Sequence, residues 1–542
     1  MKDGGSTGSS TTAPAQKPTF TLFALAEMRG QIGPCGCTTD PLGDISRTAK
    51  LVGDTRAAGP TLVVDAGSLL YSKDVIPPHL ENQEELKANL LVQTYQRDLE
   101  VAALGLGPAD LARGPEAIRV PRQAANATKP LPIEAPKIVQ VGAAKVGVFG
   151  VIAPDALGAA RVTLGDPVAA GKAAVAELRK QGAQVIVGLV QATSKKDAAK
   201  LARDIGGIDL TVAGLGLAAP EPEKIEIEAQ KIGDGWLIVP ANRGQIISRI
   251  DVTVRDGGPL VDAVGASVAA TKIASIDRQV AALDVDLAKF AADKDADPVF
   301  VKQKADERAA LVELKNKLAR QPLAVPVRGS YFTLQQVRIN KTLACSEPVQ
   351  SAVTAFYAAA GKANLAAAAN VPVKPVAKGK PGYVGGEGCE DCHGEAAEFW
   401  KTTRHARAWE TLVERGQEFD HDCIGCHVTG WLEPGGANLG FNDKLRDVQC
   451  ETCHGPGSIH VAKGGEEKPS AVTRGPATDL CATQCHTKEH SDTFQLEAYL
   501  RDVLGPGHGE ALRKQLGDGP TGAALRKAAL DKAGRLGVGC IR

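Results

Sequence analysis

The sequence predicts a multidomain chain. An α/β sandwich comes first, a helical hairpin follows, and a mainly α-helical region built around covalent attachment points closes it. Three observations predict this. Apolar runs of strand length alternate with helical segments from Thr21 to Val254, the pattern of helices laid over a largely parallel sheet. Between residues 269 and 320 the apolar spacing changes to steps of three and four. From Cys389 onward, Cys-x-x-Cys-His units recur.

Residues 1–18 are Gly, Ser, Thr, Pro and Lys in the main and read as a flexible tether. The α/β domain is expected over 19–268. Its strands are Thr21–Leu25, Thr61–Asp65, Val101–Leu106, Val146–Val151, Val185–Val190 and Leu210–Ala213, with helices over Ile45–Arg56, Leu80–Glu100, Pro167–Gln181 and Lys195–Ile205. Trp236–Pro240 and Ile246–Val254 are expected as late, antiparallel strands. The hairpin covers 269–322. Ile273, Ile276, Val280, Leu283, Leu287 and Phe290 form one stripe, Asp297-Pro298 breaks it, and Val301, Leu311, Leu314 and Leu318 resume it. Such a stripe is a packing seam within the chain or between subunits. Residues 323–385 supply short strands, a helix from Glu347 and an Ala/Pro/Lys/Gly-rich linker. Residues 386–510 hold the cysteine units, and 511–542 form a charged helical tail.

The units are Cys389-Glu-Asp-Cys392-His393, Cys423-Ile-Gly-Cys426-His427 and Cys450-Glu-Thr-Cys453-His454. A fourth, Cys481-Ala-Thr-Gln-Cys485-His486, has one extra residue between its cysteines. Cys-x-x-Cys-His is the attachment signal for c-type haem. Two thiols add across the vinyl groups, and the adjacent His reaches the iron. Zinc ribbons also use paired Cys-x-x-Cys, and a lone pair can be redox-active, but neither requires a His after each second Cys. The cofactor expected is therefore haem c, four copies, bound through Cys389, Cys392, Cys423, Cys426, Cys450, Cys453, Cys481 and Cys485. Proximal ligands are His393, His427, His454 and His486. A second strong ligand sets an electron carrier's potential. His405, His421, His460, His490 and His508 lie in or beside this stretch, whereas His79 lies elsewhere and reads as ordinary surface.

Residues 386–508 resemble the tetrahaem cytochromes c of the cytochrome c-554 type. The matching segments are Arg404-His-Ala-Arg-Ala-Trp409, Cys423-Ile-Gly-Cys-His-Val-Thr-Gly430, Cys450-Glu-Thr-Cys-His-Gly-Pro-Gly-Ser458 with His460, and Cys485-His-Thr-Lys-Glu-His490. The resemblance implies His405, His460 and His490 as distal ligands. It ranks His421 lower, keeps His508 as a candidate, and tolerates one five-coordinate haem. The longer fourth spacer departs from the family pattern.

Residues 20–256 resemble the calcineurin-like metallophosphatases, in particular the catalytic domain of 5′-nucleotidases. The resemblance rests on Arg29-Gly-Gln-Ile32, Gly43-Asp-Ile-Ser-Arg-Thr-Ala49, Leu62-Val-Val-Asp-Ala-Gly67, Ala103-Leu-Gly-Leu-Gly107 and Leu237-Ile-Val-Pro-Ala-Asn-Arg-Gly-Gln245. It implies a two-metal site, but the family's ligand positions fall on Glu27, Met28 and Arg29, on Ser68, on Gly107–Asp110, on Val190 or Gln191, and on Gly214–Leu217. A two-metal site needs several carboxylates and imidazoles, and Arg29 opposes one. The expectation is a metallophosphatase-like sandwich without its chemistry.

Four cysteines stand outside the units: Cys35, Cys37, Cys345 and Cys540. In an oxidising compartment disulfides are the default. A Cys35–Cys37 bridge is sterically awkward, so a partner such as Cys345 is easier. The other readings are a thiol or soft-metal site and a plain structural role. Lys plus Arg equals Asp plus Glu at 63 each, so no bulk charge points to nucleic acid or lipid.

Covalent haem attachment implies a periplasmic or outer-surface protein, although residues 1–18 show no apolar export segment. The expectation is that an export signal was removed or the start misassigned, with lipidation open. The main functional expectation is an electron carrier serving redox partner proteins. The alternatives are a reductase of a small inorganic substrate acting at a haem or at Cys35/Cys37, and an active phosphatase fused to a cytochrome.

Overall fold

The computed structural model describes residues 17–540 apart from 35–36, 129–130, 159–161, 256–257, 264–265, 294–295, 321–325, 327, 441–442 and 469–479, with backbone alone for 266–268. Residues 1–16 of the tether expected at 1–18, and Cys35, lie outside the described residues.

Strands are β1 Phe20–Leu25, β2 Thr61–Asp65, β3 Ala103–Leu104, β4 Arg122–Gln123, β5 Ile133–Glu134, β6 Lys137–Val141 and β7 Ala144–Ile152. Then come β8 Val185–Gln191, β9 Leu210–Gly214, β10 Gln230–Ile232, β11 Gly235–Ile238, β12 Ile246–Thr253, β13 Val261–Asp262 and β14 Tyr331–Arg338. They make two six-stranded sheets, ordered β13-β14-β12-β1-β2-β3 and β10-β11-β9-β8-β7-β6, and a small β4-β5 pair.

Alternation along each strand decides the layers. Phe20, Leu22 and Ala24 of β1 point one way and meet Val146, Val148, Val187 and Val212 of the other sheet. Phe23 and Leu25 point the other way, into helices α1 Ile45–Ala58, α2 Glu81–Arg97 and, from late in the chain, α7 Glu347–Ala368. On the second sheet, Phe149, Val151 and Ile186 meet α3 Pro167–Lys180 and α4 Lys195–Ile205. The result is helix, sheet, sheet, helix. Each such buried side chain contributes about 1.5–3 kcal/mol.

Caps set the helix starts. Asp44 accepts hydrogen bonds from Ser46 N (2.8 Å) and Arg47 N (3.4 Å) to open α1. Asp166 precedes Pro167, the favoured first residue of α3, and Ser194 caps α4.

The strand expected at 101–106 shrinks to β3. Beyond it, Gly105 lies so close to Ala66 that a Cβ would sit 2.3 Å from the Ala66 carbonyl oxygen. Of the late strands, β12 is antiparallel to β1, but β11 runs parallel to β9 and antiparallel to β10. β14 pairs along all of β12, so the segment after the hairpin returns into the first sheet. The hairpin is α5 Ala266–Ala292 with α6 Pro298–Arg320. Ile276 and Leu318 are buried in its seam together with Ile227 of the α/β domain. No helix among the described residues is long and apolar enough to cross a membrane.

Short helices make up the remainder: α8 Glu387–Glu390, α9 Gly394–Lys401, α10 Ala408–Val413, α11 His421–Ile424, α12 Cys450–His454, α13 Ser458–Ala462, α14 Leu496–Val503, α15 Glu510–Leu516 and α16 Gly522–Lys532. The tail then folds back. Cys540 forms a disulfide with Cys345, and Cys345 N donates to Val538 O at 2.8 Å. This corrects the expectation that Cys345 serves the Cys35/Cys37 pair. Cys37 is a free, exposed thiol.

Candidate functional site

Each cysteine–histidine unit is one turn of helix or the end of one. In the first and third, the His or its neighbour closes back on the turn: His393 N donates to Cys389 O at 2.9 Å and Gly455 N to Glu451 O at 2.9 Å. The fourth unit takes up its extra residue as a π turn over Cys481–Cys485, with His486 N bonded to Cys481 O at 2.7 Å. A wider turn is how a helix absorbs one added residue. His486 therefore still follows its second cysteine off the end of a single turn.

The imidazoles come in facing pairs. His393 and His460 have ring centroids 6.3 Å apart, His405 and His486 6.2 Å, and His454 and His508 5.9 Å. Two metal–imidazole bonds of about 2.0–2.1 Å plus the ring radii put centroids roughly 6 Å apart across one metal. The described residues thus fit an iron held between each pair. His508 Nδ1 donates to Val503 O at 2.8 Å and His427 Nδ1 to Ala408 O at 2.6 Å; His460 Nδ1 donates to Glu467 O. Each such bond leaves Nε2 with its lone pair free. Burial pushes His405, His427, His454 and His486 down, His486 to about 4. The rings are therefore neutral at pH 7, the state in which imidazole ligates a metal.

His486 faces His405, and His454 faces His508, which the sequence kept as a candidate; His490, expected as a distal ligand, is in neither of these pairs and lines the same cavity as His427. His79 is exposed, as expected, but it has a ring neighbour. It packs edge-on against His421 at 5.3 Å. Nothing in the spacing signals that contact, which joins distant parts of the chain. The zinc reading requires several ligands to converge. Among the described residues no group of three or more His, Cys, Asp or Glu converges in that way.

Sulfurs of different units approach each other. The Cys389 and Cys450 thiols shift each other's titration, as do those of Cys426 and Cys485, and Cys426 Sγ donates to Gln484 O at 3.6 Å. First and third units, and second and fourth, are therefore neighbours.

The second unit is seated by the α/β domain. Gln83 of α2 donates to Asp420 at 2.6 Å, and Asn364 of α7 donates to Gln83 at 2.9 Å and to Phe419 O at 2.9 Å. Lys87 pairs with Glu84 at 3.2 Å and with Asp422. Burial alone would depress the Lys87 ammonium, but Asp422 and Glu84 hold it well above its ordinary value. Thr39 donates from N (3.1 Å) and Oγ1 (2.5 Å) to Asp492, and Arg243 pairs with Glu489 at 2.6 Å. Between the two regions lies a cavity of about 2860 Å³, lined by Cys37, His79, Cys423, His427, His486 and His490 among others.

At and around the positions that the resemblance aligns with phosphatase ligands lies a buried polar network, in which Glu27 Oε2, Gln191 Oε1 and Arg122 Nε and Nη1 have no partner. Glu27 Oε1 accepts from Gln191 Nε2 (3.0 Å) and Gly216 N (2.7 Å). Asp65 accepts from Tyr95 OH at 2.6 Å. Asp110 accepts from Leu69 N and Leu70 N, both at 2.8 Å, and faces the fully buried Arg122 at 3.5 Å. Burial pushes Glu27 up to about 7 and Asp65 up to about 6. The buried Arg122 guanidinium beside Asp110 places positive charge where a metal pair would need negative charge.

Residues 388–455 match the family model described as cytochrome c554 and c-prime. Cytochrome c-554 of Nitrosomonas europaea is 35% identical over 117 residues, covering 18% of this chain and 50% of that protein. The chain thus spans about half the length of that curated relative. Similar solved structures include a 5′-nucleotidase precursor from Thermus thermophilus (22% identity, 45% of this chain, 53% of that chain, TM-score 0.38). They also include the Thermus thermophilus sulfate thiohydrolase SoxB in complex with glycerol (17% identity, 45% and 56%, TM-score 0.36). A third is the calcineurin-like phosphoesterase YfkN from Bacillus subtilis (18% identity, 44% and 86%, TM-score 0.33). The stretch matching the cytochrome c554 model follows the α/β domain in the chain.

Proposed function

We propose that this chain holds four haems c and carries electrons between redox partner proteins outside the cytoplasm. The observation that supports it best is the set of three facing imidazole pairs, each containing the His of a cysteine unit. Bound haem supplies a one-electron iron couple whose potential the axial ligands tune. The chain's own residues do the rest. Cys389 and Cys392, Cys423 and Cys426, Cys450 and Cys453, and Cys481 and Cys485 fix each group covalently. His393, His427, His454 and His486 ligate from one side, and His460, His508 and His405 face three of them. The adjacency of units one with three and two with four keeps the centres close enough for transfer along the chain. The α/β domain holds the second unit through Lys87, Gln83 and Asn364 and presents its outer surface to partners. Export follows from the chemistry, since covalent haem attachment takes place outside the bacterial cytoplasm.

Spectroelectrochemical titration of the purified native protein tests the reading. The expected result is four one-electron steps with mainly low-spin spectra. A protein with no reducible chromophore would end it.

A further inference from the structure

Two buried guanidinium groups of the α/β domain line the cavity between the regions and lack the partners that burial demands. Arg47, in the first turn of α1, is 3% exposed, and neither its Nε nor its Nη1 has a hydrogen-bond partner. Its nearest carboxylate is Asp44, 3.7 Å from Nη1, beyond hydrogen-bond reach. The other oxygen of Asp44 is committed to capping α1. Burial pushes the Arg47 guanidinium down, with Asp44 and Asp40 offsetting only part of that effect.

Arg29, just beyond β1, is 8% exposed. Its Nη2 donates to Asp74 at 3.0 Å and to Ser72 O at 3.3 Å, while its Nη1 has no partner. Both residues line the cavity that also contains Cys423, Cys426 and His427. Buried charged donors left unsatisfied are costly. A planar fork of N–H donors is matched by an oxyanion, a carboxylate above all.

We propose that Arg29 and Arg47 form an oxyanion seat in this cavity, whose lining includes the second cysteine–histidine unit. Two sources share the chemistry: a propionate of the haem carried by Cys423 and Cys426, or a small free oxyanion. The first source rests on the haem reading above, whereas the second does not. Neither guanidinium belongs to the cytochrome region, so in either case the α/β domain completes a site that region lacks alone.

The test compares the native holo-protein with Arg47→Gln, Arg47→Lys and Arg29→Gln, each checked for haem content and far-ultraviolet dichroism. One arm titrates sodium sulfate calorimetrically at low ionic strength. A free-oxyanion seat gives saturable binding, weakened about tenfold or more in Arg47→Gln, with midpoint potentials unchanged. The other arm measures the potentials. A propionate seat gives no sulfate binding, but one midpoint falls in Arg47→Gln while the others stay, because a positive charge near the iron is lost. Arg47→Lys restores part of that fall. If Arg47→Gln does not fold, Arg29→Gln carries both arms. Fully loaded, folded variants that change neither sulfate binding nor any midpoint overturn the proposal. A wild-type protein without haem removes only the propionate source and leaves the sulfate arm to decide.

Discussion

The α/β domain and the cytochrome region differ in what fills their interiors. In the first, Phe20, Leu22, Phe23, Val64, Phe149 and Val187 are fully buried, and apolar clusters lie on both faces of both sheets. In the second, the apolar cluster among the described residues is Ile424, Val428, Ala437 and Leu445, with Tyr383, Trp409, Trp431 and Leu439 half-buried around it. Cysteines, half-buried apart from the exposed Cys392, and facing imidazoles recur through the rest. The α/β domain makes its own core from side chains. On the haem reading proposed above, the cytochrome region is arranged around groups its sequence does not encode, and Lys87 and Gln83 tie it to its neighbour.

The largest expected effect breaks that comparison directly. Chain produced without haem attachment keeps slow amide exchange in β1, β2, β7 and β8 but loses protection, by roughly a thousandfold or more, across residues 386–510. Equal protection in both regions would show that the cytochrome region has a core of its own.

Next come the imidazole pairs. His508→Ala opens one iron, so carbon monoxide binds one more haem than in the wild type, whereas His490→Ala leaves the spectrum unchanged. The reverse outcome would restore His490 as the distal ligand.

Lys87→Met sharpens the dependence of one region on the other. It strands Glu84 and Asp422, both partners of the lost cation, and is expected to cost about 3–5 kcal/mol in urea unfolding of the holo-protein. A loss below about 1 kcal/mol, the range of an exposed pair, would mean the contact does not hold the second unit in place.

The smallest effect lies within the α/β domain. Glu27 has a folded pKa of about 7 against 4.5, because burial penalises its charge. Between those values the folded state binds more protons than the unfolded one, so stability falls as pH rises through that window. Glu27→Gln removes this slope and is stabilising at pH 8 on the order of 2 kcal/mol. A wild-type stability that rises between pH 5 and 7 at this site would contradict the assignment.

What was readable in the sequence follows from range. Helix α4 falls on the expected Lys195–Ile205 because Ser194 and Gly206 mark its ends locally. The four cysteine–histidine units stand out in the sequence because the attachment signal for haem is written in adjacent residues. β4 was not, since Arg122 and Gln123 are polar and their burial arises from Asp110 and Glu134, side chains supplied by tertiary contact. The Cys345–Cys540 bridge, 195 residues apart in sequence, leaves no local trace. The pairing of His508 with His454 was not legible either, since it arises from the chain's return through Gly505–Gly509, where His508 N bonds Gly505 O.

The central claim is that all eight cysteines of the four units carry haem. Peptide mapping of the protease-digested native protein by mass spectrometry tests it most directly. The predicted result is four haem-bearing peptides, including the one spanning Cys481 to His486, and a separate disulfide-linked pair containing Cys345 and Cys540. Free thiols throughout the four units would contradict it.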